Sequence, residues 1–354
     1  MTTTQENTQH TQKPTTVEDS SDSLINLLHR AWQTRDEFKQ QWQQEHTNCY
    51  RIFHGTNEGL LGTTLDRYGS LLILQTFHHS LSDNELQQVQ SFVDDTFPSL
   101  HLTYNDRSDN NSRIQASPKN ADNLDRRSVE ALELGIKYCI QGRHSGQDPW
   151  LFLDLRAGRR YVKAHSKDKT VLNLFSYTCG IGSAAAAGGA KRVVNVDFAE
   201  SSLAVGKENA QLNNFQQIEF IQSDVFPAIK QFANMPISVR RGKKLPKYPK
   251  HKPEQFDLVF LDPPRWAKSA FGTVDLVRDY QALFKPSLLA TKDGGQLICC
   301  NNVAQVDREE WLESLKRCAI KAGRPLKSIE VILPDADFPS PDGNPPLKIA
   351  ICQL

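Results

Sequence analysis

Residues 171–182 read VLNLFSYTCGIG, and the next apolar run, RVVNVD, closes on an acidic residue, Asp197. An apolar strand over 171–175 that enters a glycine-containing turn and then a small-residue helix over 183–187 lets backbone amides approach a ligand closely. An acid at the end of the following strand can hold both hydroxyls of a ribose. The pattern is that of a nucleoside-cofactor site. GxGxxG is absent and only Gly180 and Gly182 bracket the turn, so there is no cradle for a pyrophosphate. S-adenosylmethionine is therefore favoured over a dinucleotide.

The elements that follow support this. A helical stretch over 200–213 carries small or apolar residues at Leu203, Ala204, Gly206, Ala210 and Leu212, and the short strand IEFIQSD then ends in Asp224. A polar residue at that strand end can bond the amino group of an adenine lying across the sheet edge. The segment FDLVFLDPPRW has an apolar run over 258–261 that reads as a strand buried on both faces, as in a parallel sheet. It delivers Asp262, Pro263 and Pro264 to the same edge, and the prolines stiffen the corner. Taken singly, an aspartate at a strand end is a helix cap and Asp-Pro-Pro a turn. Their order and spacing make the combination specific.

The segment from about residue 150 to the C-terminus resembles the class I methyltransferases that act on bacterial 23S ribosomal RNA. That family contains the 5-methylcytosine enzymes and the 7-methylguanine half of a bifunctional large-subunit enzyme. The matching stretches are FLDLRAGRR (152–160), NLFSYTCG (173–180), VDFAESSL (196–203), LDPPRW (261–266) and the late DFPSPDGNPPLKI. Upstream, residues 50–75 resemble the small domain preceding the catalytic domain in those enzymes, so the likeness covers about residues 45–354. It implies an α/β fold: a Rossmann-like class I methyltransferase sheet, mostly parallel with its last strand antiparallel, preceded by a small α/β domain. It also implies that Asp154 and Arg156 border the cofactor and the RNA entrance. The plain alternative for 156–160 is a solvated basic helix.

At 354 residues the chain exceeds what one core usually supports. The expected division is a disordered tail over 1–22, a small α/β domain over 23–145 on the RNA side, and the methyltransferase domain over 146–354. Within the small domain, helical spacing runs over 24–42 and again over 83–97, and a polar stretch over 105–127 reads as a mobile loop. No apolar run is long enough for a membrane span and no signal sequence precedes the first helix. Seven cysteines without CxxC spacing read as reduced thiols of a cytoplasmic protein, and no metal set is expected. Net charge is only +1, but residues 240–252, RRGKKLPKYPKHK, concentrate cations around an aromatic. Arg240, Arg241, Lys243, Lys244, Lys247 and Tyr248 are thus candidates for binding RNA phosphates and stacking on an unpaired base, against a solvated insertion.

The acceptor atom turns on GGQLICCNNV, which places Cys299 and Cys300 inside a strand and Asn301 and Asn302 at its end. By the resemblance, the catalytic cysteine of the 5-methylcytosine enzymes falls on Asn302, and an amide cannot act as that nucleophile. The Asn-Asn pair matches the 7-methylguanine member, whose acceptor nitrogen carries its own lone pair. The expectation is one in-line displacement onto an RNA base, most readily of 23S ribosomal RNA, at a nitrogen of the guanine N7 type. Asp262, Pro263, Pro264 and Asn302 would position the base, while Trp266 either stacks on it or closes the core. Asn173, Phe175, Ser176, Tyr177, Thr178 and Gly180 would hold the methionine part of the cofactor. Asp197 would hold the ribose and Asp224 the adenine edge, with Phe198 and Val225 also expected at the cofactor. The alternatives are 5-methylcytosine formation, a small-molecule or protein methyltransferase on the same fold, or a binding module. Ribosomal RNA is the expected partner, and a homodimer is left open. The chain departs from the resemblance in lacking a leading RNA-binding barrel and in having Phe338 where the family often has His.

Overall fold

The computed structural model describes residues 22–108, 127–144, 148–237 and 244–354. All but Asp22 of the expected N-terminal tail lies outside the described residues, as does 109–126 of the polar stretch.

The first unit is a sheet of β1 (Cys49–His54), β2 (Thr63–Tyr68), β3 (Leu71–Thr76) and β4 (His101–Asp106), paired in that order. The first two pairings are antiparallel hairpin contacts; β4 returns parallel to β3 after the helix Asp83–Thr96. A Ser82–Glu85 capping box starts that helix, each side chain answering the other's backbone amide. One sheet face packs Tyr50, Ile52, Leu72 and Leu74 against Leu28, Trp42 and Phe92. The helical stretch over 24–42 divides into α1 (Leu24–Thr34) and α2 (Asp36–Gln44). The break falls at Arg35, which is 1% exposed and turned inward to Glu58 and to the carbonyls of Ala31 and Asp337.

The other face meets the hairpin of β5 (Val129–Glu133) and β6 (Ile136–Ile140) in a core with Leu151, Leu153 and Ala184. The hairpin also bonds forward. Cys139 and Lys137 donate their amides to Asn209 and Asn213, at 2.8 and 2.9 Å. Residues 129–140 are therefore shared between both halves of the molecule.

The second unit is a seven-stranded sheet ordered β14-β15-β13-β10-β7-β8-β9. Its strands are β7 (Thr170–Leu174), β8 (Arg192–Asp197), β9 (Ile218–Gln222), β10 (Phe256–Leu261), β13 (Thr291–Asn301), β14 (Ser328–Ile332) and β15 (Lys348–Gln353), with a separate short hairpin of β11 (Trp266–Lys268) and β12 (Thr273–Asp275) following β10 in the chain. β9, β8, β7, β10 and β13 run parallel, and β15 lies antiparallel to both its neighbours, as the resemblance implies. The central parallel strands β8, β7 and β10 are buried on both sides, which is why they read as largely apolar runs, whereas the edge strand β9 is not. Strand order reverses between β7 and β10, and a crevice opens at their C-terminal ends.

The helix Arg156–His165, which leads into β7, corrects the reading of a solvated basic face. Arg156 and Arg159 are 0% and 2% exposed. Arg159 forks onto Glu133 of the hairpin, and Arg156 bonds Asp335, Asp337 and the Cys49 carbonyl. Two buried guanidinium groups are tolerable because each is matched by carboxylates.

Candidate active site

The turn after β7 is unusual in its backbone. Phe175, Tyr177 and Cys179 take φ of +56°, +48° and +63°, so alternate non-glycine residues sit in the left-handed region, each at a cost of about 1–2 kcal/mol. Tertiary bonds hold it there. Ser176 donates its amide to the Val196 carbonyl at 3.0 Å, Tyr177 to Asp197 Oδ2 at 2.8 Å, and the Thr178 hydroxyl to the Trp150 carbonyl. The turn then opens the helix Gly180–Ala187, whose first amides have no partner within the helix. Gly182 serves packing, since a Cβ there would fall 2.3 Å from Asn195 Oδ1. Asn195 in turn accepts from Asn173 at 2.8 Å, fixing the two central strand ends.

A cavity of about 510 Å³ lies on this edge. Of the residues expected to hold a cofactor, Asp154, Asn173, Phe175, Ser176, Tyr177, Thr178, Gly180, Asp197 and Phe198 line it; so do Asp262, Pro263, Pro264 and Asn302, expected to act on the base. Asp197 is 5% exposed, with Oδ2 on the Tyr177 amide and Oδ1 on that of Ala199 at 2.8 Å. Burial raises its carboxyl above the usual range while those two amides oppose the shift. Asp262 is pushed up to about 7, first by burial and then by the Asp154 carboxylate; Arg159 works in the other direction.

Three expected residues are not brought to the cavity. Arg156 is committed to Asp335 and Asp337, as above. Asp224 spends Oδ1 on the Phe226 amide at 2.9 Å, capping the helix Val225–Phe232, and Val225 is a core side chain. Of the basic stretch, Arg240, Arg241 and Lys243 lie outside the described residues. Lys244 and Lys247 are exposed, whereas Tyr248 stands edge-on to Phe271 beneath Lys250. Trp266, 63% exposed, does not close the core. The cavity also takes in Asp148, Trp150, Arg159, Ser202, Arg265 and Leu347, which sequence reading missed. The aromatic-rich DPWLFLD run ahead of the basic helix was the available signal.

At the end of β13 the asparagine pair divides. Asn301 is buried, bonding the Leu276 carbonyl and the Val303 amide, whereas Asn302 is exposed on the cavity wall. Cys299 and Cys300 are 0% exposed, and burial holds both thiols well above their ordinary value.

The donor set fits S-adenosylmethionine. The cavity is of ligand size, Asp197 offers the acceptor a ribose needs, and the free first-turn amides of Gly180 and Ile181 suit an amino-acid carboxylate.

Comparison with known proteins agrees. An S-adenosylmethionine-dependent methyltransferase family model matches residues 99–352. Ribosomal RNA large subunit methyltransferase I of Vibrio vulnificus (strain CMCP6) is 30% identical over 302 residues, covering 82% of this chain and 70% of the relative. The protein of that name from Escherichia coli (strain SMS-3-5 / SECEC) is 26% identical over 305 residues, covering 84% and 72%. Among solved structures, a Streptococcus mutans protein assigned as an S-adenosylmethionine-dependent methyltransferase superposes with a TM-score of 0.73 at 22% identity, over 96% of this chain and 83% of that one. SMU.776, assigned as a methyltransferase and solved with S-adenosylhomocysteine, matches with the same TM-score at 21% identity, over 94% and 81%. The chain is an S-adenosylmethionine-dependent methyltransferase and belongs to the family that includes these relatives.

Proposed function

We propose that the enzyme methylates a base of large-subunit ribosomal RNA, at a ring nitrogen of the guanine N7 type. The ribosomal RNA methyltransferases among its relatives support the substrate class. The acceptor rests on one observation: where a covalent nucleophile would stand, Asn302 lines the cavity, while Cys299 and Cys300 are sealed in the sheet as thiols. Burial that raises a thiol disfavours its thiolate, which supports an acceptor that brings its own lone pair.

When bound, S-adenosylmethionine supplies an electrophilic methyl group. The chain's part is positioning and exclusion of water. Pro263 and Pro264 give a rigid wall without N–H donors, and Asp262 and Asn302 flank it with polar groups for the base edge. Exposed Trp266, just beyond, offers a face on which a neighbouring base can stack.

RNA containing 5-fluorocytosine tests the acceptor, because cysteine-dependent carbon methylation traps it as a covalent conjugate. No conjugate is expected. A stable conjugate lost on mutating Cys299 or Cys300 would establish 5-methylcytosine chemistry instead.

A further inference from the structure

A second cavity, of about 290 Å³, lies between the small sheet and the proline-rich segment 334–347. It shares Asp148, Phe152, Asp154 and Leu347 with the cofactor cavity, so the two are chambers of one cleft. Strand alternation explains its chemistry. On β3, Leu72 and Leu74 enter the small domain's own core, whereas Leu71 and Ile73 face the hairpin and the catalytic domain. Gln75 continues that second row, beyond its apolar part and into the chamber.

The polar groups there are unequal. Arg51 and Asp66 satisfy each other through bonds of 2.8 and 2.9 Å. Gln75 is 4% exposed and lines the chamber, and its side-chain amide makes no hydrogen bond among the described residues. Its amide atoms are not sealed from solvent, unlike the hydroxyl of the facing residue on β2, Thr64, which is buried without a partner. An amide without a protein partner that opens onto a chamber is available to a ligand. The chamber walls around Gln75 are flat and apolar: Phe77 and Phe152, each 39% exposed, and Phe338 beneath the Arg51 guanidinium at 4.5 Å.

Resting on the RNA-methylation reading above, we propose that this chamber receives the target base, drawn out of its stack, and that Gln75 reads the base's polar edge. A side-chain amide presents a donor beside an acceptor, which matches the N1–H and O6 of a guanine. Nitrogen 7, beside O6 on the adjoining Hoogsteen edge, is not engaged by this contact and is left to face the cofactor chamber. Asp154, which lines both chambers, marks where the acceptor atom passes from one to the other.

The test compares Gln75→Leu with wild type in three measurements: melting temperature, S-adenosylmethionine affinity by calorimetry, and kcat/KM on ribosomal RNA. The leucine keeps the volume and removes the unpaired amide. Melting temperature should hold or rise, cofactor affinity should be unchanged, and kcat/KM should fall at least about tenfold, the discrimination of a bidentate base contact. If melting temperature falls together with activity, Gln75 is a structural residue and the assignment is overturned. If Gln75→Leu methylates RNA at wild-type efficiency, the chamber assignment alone fails. If the wild-type enzyme transfers no methyl group to ribosomal RNA, the RNA reading fails and the chamber assignment with it.

Discussion

Arg156 and Asp337, 181 positions apart in the chain, form an ion pair in which neither side chain is exposed. The same aspartate accepts the Arg51 amide at 2.9 Å on its other oxygen, and its carbonyl takes Arg35 at 3.2 Å. One residue of the late DFP motif thus ties the helix before β7, strand β1 and the break between the first two helices. This explains how the small domain is held against the cleft whose wall the motif supplies.

Breaking the pair should therefore be costly. Arg156→Met leaves Asp337 buried and unmatched, and should lower unfolding free energy by about 3–5 kcal/mol. Denaturant titration measures this. Wild-type stability together with lost cofactor affinity would instead return Arg156 to the cofactor site.

Asp197→Ala should weaken S-adenosylmethionine binding by about 1.5–3 kcal/mol, the range for hydrogen bonds to a charged group. Calorimetry reads the affinity and circular dichroism checks that the turn at 175–180 still folds. Unchanged affinity in a folded variant would remove the β8 end from the cofactor site.

The Asp262 carboxyl titrates at about 7 in the fold against an ordinary 3.8, burial and the Asp154 charge being the causes. The folded state therefore holds this proton more tightly than the unfolded one. Its contribution to stability is full below the ordinary value and is lost as pH rises through about 7. On the proposed role of Asp262, in which the ionised carboxylate accepts from a base donor, activity should run the opposite way. kcat/KM should rise through this range, Asp154→Asn should move the inflection to lower pH, and Asp262→Asn should abolish it. An inflection unchanged in Asp262→Asn would assign the titration elsewhere.

Neutralising Arg240, Arg241, Lys243 and Lys244 together should weaken RNA binding and flatten its salt dependence, with cofactor affinity unaltered. Filter binding at several salt concentrations gives the slope. An unaltered slope would move phosphate contact to the small domain.

The wall of the larger cavity was legible because the central parallel strands, buried on both faces, read as apolar runs, and Asn173, Asp197, Asp262 and Asn302, at or near the strand ends, line it. What was not legible depends on partners distant in sequence. Nothing local to Arg156 or Arg159 announces Asp337 or Glu133, so a buried pair looks like a solvated basic face. Asp224 carries a different ambiguity: a strand-end carboxylate and a helix cap have one sequence signature, and only the fold shows Oδ1 accepting the Phe226 amide at 2.9 Å. Gln75 was invisible because the alternation of β3 shows which face it occupies only once the hairpin 129–140 covers that face.

The central claim is methyl transfer to a ring nitrogen of ribosomal RNA. Mass analysis of nucleosides, after incubating purified enzyme and S-adenosylmethionine with large-subunit RNA lacking its modifications, measures it directly. The expected product is a methylguanosine whose imidazole ring opens in alkali with the methyl retained, the signature of nitrogen 7, formed equally by the Cys299→Ala and Cys300→Ala variants. A 5-methylcytosine product that disappears in either variant would contradict the account.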